Sequence, residues 1–195
     1  MTLNGFLSLA WQSVTAPRDV ARLLLSLRLG TEVVLTAFAL VVVLQTIFVA
    51  LSAQIMPPDP AVASILSQPI VFLAILSTVL CVMILALTFA GRGLGGVAQV
   101  RDVGVLIVWV QGLDVLVQAV LVVTAPLLPG LAAMISLLAT GVGLWILINF
   151  LAEAQGFEGV GKAALSVLLA VTGLALGASL FLSLTGATTG IVPNV

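Results

Sequence analysis

Gln111, Asp114 and Gln118 stand three and four residues apart inside VLIVWVQGLDVLVQAVLVV, the otherwise apolar stretch from Val105 to Val123. Side chains at those spacings share one face of a helix, so the three make a polar stripe. An ionised carboxylate at mid-bilayer costs about 2.5–3.5 kcal/mol even on the lenient insertion scale, which obliges the stripe to face protein or water. Three kinds of chemistry fit: a proton or ion pathway, a binding pocket, or a hydrogen-bonded joint between helices. Gln45 and Asn149, each inside another apolar run, are the candidate partners for a joint.

Other chemistry fails for want of residues. The chain has no histidine and one cysteine, Cys81. A serine nucleophile therefore lacks a histidine base, and zinc or haem lacks its usual ligands. Intramembrane proteolysis by paired aspartates needs a second mid-span Asp, whereas Asp19, Asp59 and Asp102 all map outside the apolar runs. No catalytic set, metal or cofactor is expected, and Cys81 is expected to be a buried small hydrophobe. A net charge of -1 gives no basic field for nucleic acid.

Two glycine patterns also carry meaning. Gly91, Gly93 and Gly96 in GRGLGG have the spacing of a dinucleotide-binding turn. That motif needs a preceding strand, and an apolar span precedes it here, so a flexible cytoplasmic turn carrying Arg92 is expected. Gly173 and Gly177 in GLALG allow close helix approach. Packing within the chain is the expectation, with dimerisation as the sharper alternative.

The elements that must position these residues follow from composition. Of 195 residues 62% are hydrophobic and 7% charged, far from the quarter charged of a soluble domain. Apolar runs of the length that spans a bilayer as a helix recur near 33–56, 69–90, 103–125, 131–152 and 163–184, joined by MPPDP, GRGLGGVAQVRD, PLLPG and EAQGFEGVGK. The runs are continuously apolar instead of alternating, which excludes a β-barrel pattern. The expected fold is an all-α, polytopic bundle of five transmembrane helices at residues 31–185, with a short tail at 186–195. All six basic residues, Arg18, Arg22, Arg28, Arg92, Arg101 and Lys162, fall on one side of this map. The positive-inside rule then places the N-terminus in the cytoplasm and the tail outside.

Residues 1–30 form a different segment. Leu3, Phe6, Leu7, Ala10, Trp11 and Val14 share one helical face, and Asn4, Ser8, Gln12 and Thr15 the other, which suits an interfacial helix with Trp11 at headgroup depth. Val14 and Ala16 imitate a signal-peptide cleavage site, yet no basic residue precedes the apolar part and Pro17 would follow the cut. A second amphipathic helix follows, in which Arg18, Arg22 and Ser26 oppose Val20, Leu24 and Leu27. Arg18, Arg22 and Trp11 are the candidate lipid-headgroup contacts.

The order SVTAPRDVARLL, first span, GRGLGGVAQV entering a polar-striped third span, proline hairpin and AEAQGFEGVGKAAL resembles the Yip (Ypt/Rab-interacting protein) membrane-domain family in its short bacterial form. The resemblance covers nearly all the chain. It implies five spans with a cytoplasmic N-terminus in a bacterial inner membrane, and a histidine at the position occupied here by Gln155. Eukaryotic members are associated with Rab-type GTPases and with traffic between endoplasmic reticulum and Golgi, and carry a long polar N-terminal region that is not in this sequence. The expected function is non-enzymatic, by helix-mediated association with membrane lipids, other membrane proteins or a second copy. The alternative is a small-solute or ion permease with Asp114 on its path.

Overall fold

Long apolar runs in which almost no backbone group can find water must satisfy their N–H and C=O groups internally, and the helix does so within one segment. A computed structural model of the chain describes residues 3–55, 63, 66 and 68–184. Among them are seven helices and no strand: α1 (Leu3–Thr15), α2 (Pro17–Ser26), α3 (Thr31–Ile55), α4 (Pro69–Gly93), α5 (Val100–Leu127), α6 (Pro129–Gln155) and α7 (Val160–Leu184). Five of them, α3 to α7, are long and apolar enough to cross a membrane, as expected for a multi-pass protein. The expected MPPDP hairpin with Asp59, and the tail at 186–195, lie outside the described residues.

The spans run two to three residues beyond most of the apolar runs because polar groups close their ends. At the start of α5 the Gln99 side chain and Asp102 form a reciprocal capping box, with the Gln99 N–H donating to Asp102 Oδ2 at 3.0 Å. At the end of α6, Gly156 takes a left-handed conformation, φ 71°, which only glycine adopts at no steric cost. PLLPG is shorter as a turn than expected. Pro126 lies within the last turn of α5, and Leu128 alone separates it from α6, which starts on Pro129.

Packing is most extensive between α5 and its neighbours α6 and α3; α7 lies against α4 and α6, and α2 lies across α6 and α5. The core is concentrated at one end, where Val20, Leu87, Leu106, Phe150 and Leu151 are almost wholly buried. Outward faces stay apolar: Leu137, Leu168 and Leu180 are 75%, 61% and 65% exposed. Such a surface would associate in water, and a lipid solvent removes that cost.

The N-terminal helices are part of this core. Leu9, Val20, Ala21 and Leu24 belong to the buried cluster. In α1 the buried side is centred on Leu9 and Ser13, flanked by Phe6, Ala10 and Val14, while Leu7 and Trp11 point away from the protein. The apolar face read from the sequence is thus divided between bundle and surroundings.

Candidate functional site

The stripe on α5 meets α3 at one side. Gln45 is 4% exposed, and its Nε2 donates to Gln111 Oε1 at 2.7 Å and to Asp114 Oδ2 at 3.4 Å. One turn along α5, Gln118 Nε2 donates to the same Oδ2 at 2.7 Å. Four side chains from two spans therefore form one network, in which two amides converge on one carboxylate oxygen. Asp114 Oδ1 accepts no hydrogen bond among the described residues.

On the other side, Asp114 and Gln111 line a half-open cleft of about 540 Å³ between α5 and α6. Its walls include Leu113, Val117, Gly143 and Leu144, and α1 closes one flank with Ala10 and Val14. Thr140 also lines it, but that hydroxyl donates to the Ser136 carbonyl of its own helix at 2.9 Å. The cleft is an apolar slot with one carboxylate set in its wall. The joint and the pocket, alternatives at the level of sequence, are two sides of the same residue.

Asn149 does not join the network. It is buried, but on α6 its Nδ2 donates to the Trp145 carbonyl one turn back, at 2.9 Å. A short amide can satisfy itself on its own helix, which removes any need to reach across.

A second polar cluster lies at the densely packed end. Gln155, the last residue of α6, is 1% exposed, and a Cβ built on Gly91 or Gly96 would overlap its side-chain amide. Gln155 Oε1 accepts the Ala98 N–H at 3.1 Å, its backbone carbonyl accepts the Val97 N–H at 3.2 Å, and its Nε2 reaches the Leu87 carbonyl at 3.5 Å. Arg92 Nε donates to the Ala98 carbonyl at 2.9 Å. The GRGLGG turn is accordingly a fitted seat and not the free turn that was expected, with two of its glycines serving to admit Gln155. The sequence marks the glycines but contains no signal naming the side chain they accommodate.

The candidate lipid contacts also change. Arg22 Nε and Nη2 donate to Glu153 Oε1 and Oε2 at 3.0 and 3.3 Å, a two-pronged pair that raises the guanidinium above its ordinary value. Arg18 reaches the Glu158 carbonyl at 3.4 Å. Both arginines thus tie α2 to α6 and the turn after it. Trp11 remains exposed, at 69%.

Two further corrections concern small residues. Cys81 is exposed, not buried. Gly173 and Gly177 lie on the outer side of α7, where an added Cβ would meet nothing within 4 Å, so they do not serve packing within the described chain. A contact missed at the level of sequence anchors α1: Trp109 Nε1 donates to the fully buried Ser13 Oγ at 3.0 Å, and Phe6 meets the Trp109 ring edge-on with centroids 5.4 Å apart. Among the described residues no three carboxylate or cysteine side chains gather as a metal site needs.

Comparison of the chain with family models, with curated proteins and with solved structures returned no match.

Proposed function

We propose that this chain is a non-enzymatic, Yip-like protein of a bacterial cytoplasmic membrane that holds a helix of a partner membrane protein in the α5–α6 cleft. The observation that carries this reading is Asp114, whose Oδ2 is occupied by Gln45 and Gln118 while the residue lines an apolar cleft. A lipid tail would fill such walls but offers nothing to a carboxylate. A transmembrane helix bringing Ser, Thr, Asn or Gln to that depth supplies a donor together with apolar surface, the usual combination in helix association. Clustering of the basic residues on one side favours a cytoplasmic N-terminus and an external C-terminus.

A photo-reactive side chain at Val117 or Leu144, both in the cleft, should form an adduct in native membranes that weakens in Asp114→Leu. The same group at Leu168, on the outer face of α7, should not. A protein that stays monomeric and forms no Asp114-dependent adduct sinks the proposal.

The permease reading is favoured by one observation, that the carboxylate lines a half-open cavity. Its consequence is solute flux in proteoliposomes that falls sharply in Asp114→Asn. Equal flux from empty and protein-loaded liposomes across a broad solute panel counts against it.

A further inference from the structure

At the densely packed end, α3, α4 and α5 run side by side, and Val34 of α3 lies over Gly104 of α5, where a Cβ would make ordinary contact at 3.8 Å. Beyond that contact the helices leave a groove of about 500 Å³, walled by Leu35, Phe38, Ile84 and Leu85 with Cys81 among them. Its wall is almost wholly apolar. One end is different, because Thr31, the first residue of α3, and Arg101, in the first turn of α5, stand there.

Most of the other cations are engaged. Arg18 and Arg92 donate to backbone carbonyls, Arg22 pairs with Glu153, and Lys162 lies 5.8 Å from the centre of the Phe157 ring. Arg101 is exposed and has neither ion pair nor hydrogen bond among the described residues. Of the neighbouring carboxylates, Asp102 is turned to the Gln99 N–H, and Glu32 lies exposed in the first turn of α3. Arg28 also lacks a partner among the described residues, but it does not line this groove. An apolar trough ending in an uncommitted guanidinium has the form of a lipid with a negative head.

We propose that this groove binds an anionic phospholipid, with an acyl chain along Phe38 and Cys81 and the phosphate on Arg101. The site is separate from the α5–α6 cleft, and the proposal does not depend on what occupies that cleft. It also moves the headgroup contact from Arg18 and Arg22, each of which already donates to a group of the protein at its surface, to a residue with no such bond among the described residues. A phosphate oxygen pair matches the guanidinium fork.

Cys81 is the single cysteine of the chain and lies in the groove, so its alkylation by N-ethylmaleimide reports occupancy in the full-length, detergent-solubilised protein. Added phosphatidylglycerol should slow alkylation at a concentration about fivefold lower than phosphatidylcholine does, the preference one cation near a charged headgroup supplies. Arg101→Gln should bring the two lipids together, and Arg28→Gln should leave the preference intact. Equal protection by both lipids in the unmutated protein overturns the proposal. So does a preference that survives in Arg101→Gln, or one that Arg28→Gln abolishes.

Discussion

The side-chain amide of Gln155 rests on Gly91, so closely that no Cβ fits between them. That single relationship joins the end of α6 to the end of α4, and through the Ala98 N–H to the start of α5. Three spans are thereby fixed relative to one another by one glutamine.

Replacing either glycine of the seat should be costly for its size. Gly96→Ala forces the buried amide out of place, and overpacking of this kind costs about 1–3 kcal/mol. Gln155→Ala leaves the buried Ala98 N–H without its acceptor, at a similar penalty of about 1–3 kcal/mol. Thermal unfolding in detergent should show both losses, whereas Gly93→Ala, at a position with nothing within 4 Å, should sit near the unmutated value.

Asp114 should discriminate between its replacements. Asn keeps an acceptor for Gln45 and Gln118, while Leu leaves the Gln118 amide without one and Gln45 with Gln111 alone. Interhelical hydrogen bonds in membranes are worth about 0.6–2 kcal/mol, so Asp114→Leu should unfold measurably earlier than Asp114→Asn. If the two variants melt together, the Asp114 carboxylate adds nothing to the joint that Gln45 makes with Gln111.

The anchor of α1 is a third test. Trp109→Phe keeps the ring that meets Phe6 but loses the donor to Ser13, a loss of about 1 kcal/mol. Hydrogen exchange should rise in α1 and leave the α4–α7 core unchanged. Uniform acceleration across the chain would mean that α1 is not a separately detachable element.

For the Arg22–Glu153 pair the pH dependence has a definite sign. Glu153 raises Arg22 above its ordinary value. The stabilisation is present in full below the unfolded-state value and is lost only as pH climbs through the higher folded-state one. Between about pH 7 and about pH 10, below the arginine range, the melting difference between the unmutated chain and Arg22→Gln should therefore stay constant. Added salt should shrink it, because the pair is exposed and screened. A difference that falls steadily over that pH interval contradicts the assignment.

Much of the architecture was legible along the chain. Runs of apolar residues matching bilayer thickness located all five long helices, since a buried-in-lipid backbone has little choice but to bond within its own segment. The helical periodicity of Gln111, Asp114 and Gln118 places them on one face, and Gln45, an amide inside a span that needs a partner, finds one in Gln111. Asn149 looked equivalent and was not. Its reach to Trp145 on its own helix depends on side-chain rotamer, which spacing does not encode.

Tertiary structure decided the rest. Sequence by itself determined which segments are helices, and which side chains share a face, because those depend on local periodicity and on the cost of exposing a backbone to lipid. It could not say which faces meet, because an apolar stripe is equally content against lipid or protein. Only the packing showed that Gly91 and Gly96 receive Gln155 while Gly173 and Gly177 receive nothing, that Arg22 is spent on Glu153, and that Asp114 has a bonded side and an open one.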